Sequence, residues 1–225
     1  MDFTTEAIFV LAFATGLLHA LDADHVMAVT AIASKKMGMK AIIGLCLKWS
    51  IGHGAIIFFI GSLIFYFGMN IPHELSHYAE KVVAILLLVI GFWVLKDLYQ
   101  SSARIHFHKH NGLAQHAHWH VEHVKSNQIK VEHTHEHKAV MVGMLHGLAG
   151  LAPLLVIIPV ATQPLWLSIV YLFIFCAGVF LSMLMFGGAL GKVFEKVQQY
   201  SQRAVNVLRG MLGLASISLG LVWML

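Results

Sequence analysis

Four ionisable side chains lie within seven residues of an otherwise apolar run. They are His19, Asp22, Asp24 and His25, and the run extends from Ala7 to Ala33. Ionisable groups in an apolar segment are unfavourable unless they are paired or hydrated, which makes them functional candidates. Imidazole and carboxylate without thiolate suit nickel, cobalt, zinc or copper(II), and the ligand types do not choose among these metals. The cluster is therefore a candidate metal site, with a buried His–Asp network that joins helices as the alternative.

A regular helix does not aim all four of these side chains at one point. At about 100° per residue, His19, Asp22 and His25 fall within about 120° of one another, whereas Asp24 faces nearly the opposite way. Either Asp24 has a different partner, or the helix unwinds between Leu21 and Asp24. The run is longer than a straight span needs, and an interrupted helix is tolerated in a membrane where it lines a polar cavity.

Two further histidines lie in the middle of apolar segments. His53 is flanked by Gly52 and Gly54, and such glycines let a helix or a ligand approach closely. It is either a ligand from the second helix or a residue that hydrogen-bonds a neighbouring helix. His146 is followed by glycines and Pro153, which would interrupt the fourth helix. We interpret His146 as an auxiliary ligand or a gate, with packing as the alternative.

The composition indicates a membrane protein. Of the 225 residues, 58% are hydrophobic and 12% charged, whereas soluble domains carry about a quarter charged residues. The mean hydropathy is +0.76. Continuous apolar runs of about 20 residues favour membrane helices over a barrel. The expected spans are Thr5–Ala33, Ala41–Phe67, Tyr78–Leu98, Ala139–Val160, Leu165–Leu190 and Ala204–Leu225. We therefore expect an all-α integral membrane protein with six transmembrane helices.

The positive charges predict the orientation of these helices. Of the fifteen lysines and arginines, all except Lys81 lie in or beside the first, third and fifth loops. Positively charged loops stay on the cytoplasmic side, which puts both termini outside and predicts a multi-pass protein of the cytoplasmic membrane. The basic residues form no single patch interleaved with exposed aromatic residues. Membrane lipid is thus an expected partner and nucleic acid is not.

The two halves of the chain resemble each other. Gly16–Ala23 aligns with Gly143–Gly150 at an offset of 127 residues, and Gly52 and Gly178 follow at nearly the same offset. Because three helices separate the copies, the second copy must be inverted in the membrane. We expect two inverted three-helix repeats with interrupted first and fourth helices, and a site between them at the midplane. A chance match among glycine-rich helices is the alternative.

A polar, histidine-rich segment at residues 101–138 separates the repeats at residues 1–100 and 139–225. It holds ten of the sixteen histidines and has no apolar run able to form a core, so disorder or a loose amphipathic helix is expected. Neutral imidazole is the commonest metal ligand. We interpret the segment as a cytoplasmic metal buffer or sensor, where a metal acceptor could dock. A solvated loop with incidental histidines is the alternative.

Three motifs resemble those of the nickel/cobalt transporter family. His19–His25 resembles its H-x4-D-H signature, and Ser50–His53 resembles the histidine motif of its next helix. Leu145–Gly150 resembles the second-half motif of the shorter, urease-accessory-type nickel permeases. The resemblance implies secondary transport of Ni2+ or Co2+, with the two histidines of the first motif, Asp24 and His53 as ligands. Longer family members have eight spans, whereas we expect six in this chain, so the helix numbers of those members do not apply to it.

These observations predict a permease that is not an enzyme and has no cofactor, with Ni2+ or Co2+ as its substrate. Uptake through a midplane site is the expected direction, because the first motif matches the importers. Efflux is the alternative, since related exporters carry a similar histidine-rich loop. A membrane-embedded metal-dependent enzyme and a metal sensor are further alternatives, although there is no H-E-x-x-H motif or evident nucleophile. The candidate ligands are His19, Asp22, Asp24, His25, His53 and His146.

Overall fold

The computed structural model describes residues 5–35, 38–68, 73–102, 106–108, 116–118, 136–149 and 164–225. The helices in these ranges are α1 (Thr5–His19), α2 (Ala23–Ala33), α3 (Met39–Phe67), α4 (His73–Ser102), α5 (Glu136–Ala149), α6 (Leu165–Tyr200) and α7 (Gln202–Met224). Two short strands, β1 (His106–His108) and β2 (His116–His118), pair antiparallel in the histidine-rich segment. The sequence did not indicate these strands. Ser101 and Ser102 end α4. The rest of the segment up to the start of α5, for which we expect disorder or a loose amphipathic helix, lies outside the described residues.

Several of these helices are long and apolar enough to cross a membrane. Among the described residues they are α3, the His77–Gln100 part of α4, α6 and α7. Helices α1 and α2 together are also long and apolar enough to cross a membrane, as one span that is bent by 49° at a short break. The predicted fourth span, Ala139–Val160, is described as far as Ala149 and contains the shorter apolar helix Ala139–Leu148. The chain is therefore an α-helical membrane protein, with four or five spans in its described part.

The break in the first span lies at Ala20–Asp22. Helix α1 ends at His19, and the next amides bond three residues back, Leu21 N to the Leu18 carbonyl at 2.9 Å and Asp22 N to the carbonyl of His19 at 3.1 Å. This tighter bonding is common where an α-helix ends. Asp22 then takes up φ −58° and ψ 149° before α2 begins, so the chain changes direction there. The interruption predicted near Leu21 is present.

The helices pack in two groups. In the first group, α6 lies against α1 and α3, and α3 also lies against α5. In the second group, α4 lies against α7, and α2 mainly contacts these two helices. The apolar face of α2 takes part in both groups. Ala28 and Ala31 are buried with Leu87 and Ile90 of α4, whereas Val29 and Ala33 belong to the cluster of the first group. The two half-helices on either side of the break therefore have different main partners, α6 for α1, and α4 and α7 for α2.

An ion-pair network ties the end of α2 to the second group. Asp97 of α4 lies 3.0 Å from Lys35 Nζ, and it also pairs with Arg209 of α7. Lys35 Nζ lies 3.4 Å from the centre of the Trp93 ring, which adds a cation–π contact. The Asp97 side chain is 43% exposed, so solvent screening limits each ion pair to about 1 kcal/mol or less. The main effect of the network is to fix the relative positions of α2, α4 and α7, because all three are linked at the carboxylate of Asp97.

Two glycines bring α1 and α6 unusually close together. A Cβ added at Gly16 would meet the main-chain carbonyl of Phe175, and a Cβ added at Gly178 would meet that of Phe13. Small residues let membrane helices approach until their backbones touch. The crossing therefore places the end of α1, which carries His19, directly on α6.

The crossing of α3 and α5 is built in the same way. A Cβ at Gly52 would meet the carbonyl of Val140, and a Cβ at Gly143 would meet the carbonyl of Trp49. Each crossing thus uses one glycine from each helix, and each glycine faces the backbone of its partner. Because α3 contacts both α5 and α6, the two crossings share one body of helices.

The fifth predicted span ends too early. The apolar run stops at Leu190, whereas α6 continues to Tyr200. Phe194 in this extension is buried, and Glu195 Oε1 accepts a hydrogen bond of 3.1 Å from the backbone N–H of Met39 at the start of α3. These contacts hold the helix together beyond its apolar part, so most of the predicted fifth loop is helical.

Candidate metal site

The break brings the ionisable residues of the first span against those of two other helices. His19 is the last residue of α1, Asp24 and His25 lie in the first turn of α2, His53 lies within α3 and His146 within α5. All five are buried, and His53 and His146 are 0% exposed. The N-terminal end of α2 also favours the negative charge of Asp24 through the helix dipole. The bundle therefore has a polar centre at the point where its first span is interrupted.

The potential metal ligands at this centre form two groups of three in the described part of the chain. Ligand atoms of His19, His25 and His53 lie within 4.8 Å of one another, and we call this set the imidazole triad. Ligand atoms of Asp24, His25 and His146 also lie within 4.8 Å of one another, and we call this set the carboxylate triad. Ligands at about 2.0–2.2 Å from a zinc-like ion lie about 3–3.5 Å apart, so a contraction of about 1 Å closes either triad. His25 belongs to both.

Each histidine of the imidazole triad has a nitrogen that no described residue hydrogen-bonds. These atoms are His19 Nε2, His25 Nε2 and both ring nitrogens of His53. A buried polar atom without a partner destabilises a protein by about 1–3 kcal/mol, so several of them side by side require an explanation. A cation that accepts their lone pairs supplies one, because imidazole is a good ligand for divalent transition metals.

The two aspartates lie against the opposite nitrogens of these rings. Asp22 Oδ2 is 2.9 Å from His19 Nδ1, and Asp24 Oδ1 is 3.0 Å from His25 Nδ1. A ring that donates its Nδ1 proton to a carboxylate keeps a lone pair on Nε2, and carboxylates commonly orient metal-binding histidines in this way. Asp24 Oδ2 also lies 2.8 Å from Nε2 of His146. The two carboxylates thus orient two of the three rings of the imidazole triad, those of His19 and His25.

The six predicted residues all lie at this centre, but not in equal positions. The break turns Asp24 inward, where it joins His25 and His146, although it would face away on a regular helix. Asp22 belongs to neither triad. Its side chain is 51% exposed, against 8% for that of Asp24. His146 lies in a regular part of α5, and the interruption predicted near Pro153 lies outside the described residues.

Two aromatic rings that the sequence interpretation did not include enclose the site. Trp49 stacks on His53, with ring centres 4.7 Å apart and planes 12° apart, and it also lies 5.2 Å from His25. Phe175 of α6 lies 5.5 Å from His19. Trp49 precedes His53 by four residues, which places both on one helix face and is a usable signal. Nothing local in the sequence marks Phe175.

Spanning helices around a buried histidine–aspartate centre define a multi-pass membrane protein with a polar site inside its bundle. Residues 26–215 match the family described as the cytochrome c biogenesis protein transmembrane region. The chain is 30% identical over 190 residues to the urease accessory protein UreH of Bacillus sp. (strain TB-90), covering 84% of this chain and 78% of that protein.

A second relative is a protein of Methanocaldococcus jannaschii with the provisional name of a nickel/cobalt efflux system. It is 31% identical over 104 residues, which cover 45% of this chain and 46% of that protein. No solved structure matches the chain. The chain therefore belongs to the transmembrane-region family named above and to the nickel/cobalt permeases that its motifs resemble.

Proposed function

We propose that this protein is a secondary transporter that carries Ni2+ or Co2+ through the site at the helix break, in the direction of uptake across the cytoplasmic membrane. The observation that carries the proposal is the imidazole triad, with its three buried rings and unpartnered nitrogens. Such a site selects for divalent transition metals over Mg2+ or Ca2+, which prefer oxygen ligands. The nickel/cobalt relative supports the same substrate class.

Dehydration of the ion is the main barrier that such a site must lower. A divalent cation enters apolar surroundings only when protein ligands replace its water, and His19, His25 and His53 lie on three different helices that can do so together. Release requires that at least one of these bonds breaks. Since α1 lies against α6 and α2 mainly against α4 and α7, a movement of α2 relative to α1 would separate His19 from His25.

We infer that the bundle consists of two inverted three-helix repeats, residues 1–100 and 139–225. The glycine contacts support this inference. Adding 127 to the α1 residues of the α1–α6 crossing, and subtracting 126 from its α6 residues, gives the residues of the α3–α5 crossing. The pair Gly16 and Phe175 corresponds to Gly143 and Trp49, and the pair Gly178 and Phe13 corresponds to Gly52 and Val140. Inverted repeats related by a two-fold axis in the membrane plane produce such reciprocal contacts.

Two more contacts follow the same rule. Gly61 meets Leu172 and Gly187 meets Cys46, and an offset of 126 converts one pair into the other. Gly91 of α4 meets Ile217 of α7, which is its own counterpart at an offset of 126. A residue that touches its own counterpart lies on the symmetry axis. Among the described helices, the inferred repeat therefore extends over all except α2, beyond the short motif from which we first inferred it.

The proposed symmetry also explains which parts of the site are duplicated. His19 and His146 are counterparts, and so are Trp49 and Phe175. The ring contact between His146 and Trp49, with centres 5.6 Å apart, accordingly resembles that between His19 and Phe175, at 5.5 Å. His25 has Ala152 as its counterpart. The second repeat thus keeps one histidine, while the first supplies the remaining ligands.

The direction of transport is tested by radioactive nickel accumulation in bacteria that lack their own nickel uptake. Expression of this protein is expected to raise the cell-associated nickel several-fold above an empty vector. Efflux, which the nickel/cobalt efflux relative favours, would instead lower it after preloading. An unchanged level in both protocols would contradict transport. The variant His77→Gln is the matched control, because this exposed histidine on α4 lies outside both triads.

We further propose that the termini lie outside and that the histidine-rich segment is a cytoplasmic metal buffer at which a metal acceptor docks. The charge distribution and the ten histidines support this arrangement. Replacing residues 103–135 by a short glycine–serine linker should leave the initial rate of nickel transport within about twofold, because the ligands at the helix break are untouched. Initial rates measured over a range of nickel concentrations check this expectation. Complete loss of transport would show that the segment is part of the path.

A further inference from the structure

We propose that the transported ion occupies two alternative three-ligand positions, the imidazole triad and the carboxylate triad, and passes between them across the ring of His25. This inference rests on the proposed function, since it divides the same site into two stations. The division is present in the geometry, because the ligand atoms of the described residues gather into two triads that share one member. The ring centres of His53 and His146 are 6.3 Å apart, and they flank the shared ring at about a right angle. Each lies closer to His25, at 4.9 and 4.5 Å.

The two nitrogens of His25 face different partners. Nδ1 lies 3.0 Å from Asp24 Oδ1, in the carboxylate triad, whereas Nε2 has no hydrogen-bond partner among the described residues. A neutral imidazole has one protonated nitrogen and one lone pair. When Nδ1 donates its proton to Asp24, the lone pair is on Nε2 and serves the imidazole triad. An ion in that triad is thus compatible with the hydrogen bonds seen at Asp24.

Binding in the carboxylate triad requires the opposite tautomer. Asp24 gives up its hydrogen bonds from His25 Nδ1 and His146 Nε2 and binds the ion instead. The proton of His25 then resides on Nε2, and that of His146 on Nδ1, so no proton is lost. With Nε2 protonated, His25 no longer offers a lone pair to the imidazole triad. A single neutral ring therefore makes the two positions mutually exclusive.

The two positions also differ in charge. The imidazole triad is neutral, whereas the carboxylate triad contributes one negative charge from Asp24, so the ion is held with a different net charge and a different set of donor atoms in each. Movement between them replaces the nitrogen ligands of His19 and His53 by an oxygen of Asp24 and a nitrogen of His146. The ion moves only a short distance between ligand sets, because His25 borders both positions. The site thus divides the energy barrier to passage of the ion into two smaller barriers.

Two variants of the full-length protein in detergent test this inference with Co2+, whose visible spectrum reports its ligands. The His53→Gln variant leaves the carboxylate triad intact, and His146→Gln leaves the imidazole triad intact. Each is expected to bind one Co2+, with apparent affinity lowered only about twofold if the two positions are comparably occupied. Their spectra should differ from each other, and nickel transport by both should fall at least about tenfold. The variant His77→Gln should match the unaltered protein in every measurement.

Several outcomes would overturn the two-position scheme. They are identical Co2+ spectra for the two variants, loss of binding in either one, or two Co2+ ions bound at once by the unaltered protein. If a variant fails to fold, X-ray absorption spectroscopy of Ni2+ bound to the unaltered protein provides the test. Two or three imidazole ligands per ion are expected. Four or more would indicate a single merged site and would overturn the scheme. Failure of the unaltered protein to bind any Co2+ would instead contradict the proposed function itself.

Discussion

Glutamine in place of His25 is expected to abolish both Co2+ binding and nickel transport. His25 is the one member that the two triads share, its side chain is 1% exposed, and its ring lies between those of His19, His53 and His146. Substitutions of outer partners of a metal site already lower affinity or activity about 10–100-fold, so loss of a shared ligand should lower both by at least about 100-fold. Equilibrium binding of Co2+ and initial rates of nickel transport measure the two effects.

Glutamine is chosen because it is neutral, similar in length and a poor ligand, so the cavity stays filled. Size-exclusion elution of the purified variant in detergent establishes that it remains folded. Transport at more than a tenth of the unaltered rate, in a folded variant, would show that the ion does not use His25 and would remove the basis of both proposals. The exposed His77→Gln variant again provides the comparison.

Alanine at Gly16 is expected to destabilise the bundle and displace the site. The added Cβ would meet the backbone carbonyl of Phe175, which cannot rotate away as a side chain can. Overpacking in a close-packed interior destabilises by typically about 1–3 kcal/mol. Because His19 lies one turn beyond this contact, separating α1 from α6 also moves a ligand of the imidazole triad. A lower midpoint of thermal unfolding in detergent and a slower nickel transport should accompany each other.

The matched control for this substitution is Gly188→Ala in α6. A Cβ at Gly188 meets no described atom within 4 Å, and alanine favours a helix over glycine by up to about 1 kcal/mol. This variant should therefore unfold at the same temperature as the unaltered protein or above it. Equal destabilisation by both substitutions would contradict the close crossing of α1 and α6 and would point to a general intolerance of alanine in these helices.

Local patterns in the sequence predict α3, α4, α6 and α7, because each contains an apolar run long enough to cross a membrane. The break in the first span was also predictable, since charged residues in an overlong run favour an interruption. The end of α6 was not, because its last turns are held by a contact between Glu195 and Met39, 156 residues apart along the chain. Such distant contacts leave no local signal.

The geometry of the site was predictable only in part for the same reason. The four ionisable residues of the first motif were evident from their types, but the choice between Asp22 and Asp24 depends on the direction of the chain after the break. A regular helix turns Asp24 away from His19, whereas the observed break directs it toward His146, which lies 122 residues further along the chain. Similarly, the histidines suggested ligands, but the division into two triads follows from how α3 and α5 cross.

The ion pairs between Lys35, Asp97 and Arg209 bear on how many ligands an ion can have at any moment. They fasten the end of α2 to α4 and α7, while α1 is fastened to α6 through Gly16 and its neighbours. His19 and His25 therefore lie on half-helices with different main partners, although they are only six positions apart in sequence. Under the proposed function, a displacement of α2 against α1 changes the number of ligands that a bound cation has. Affinity and conformation are thus coupled through the backbone of a single interrupted helix.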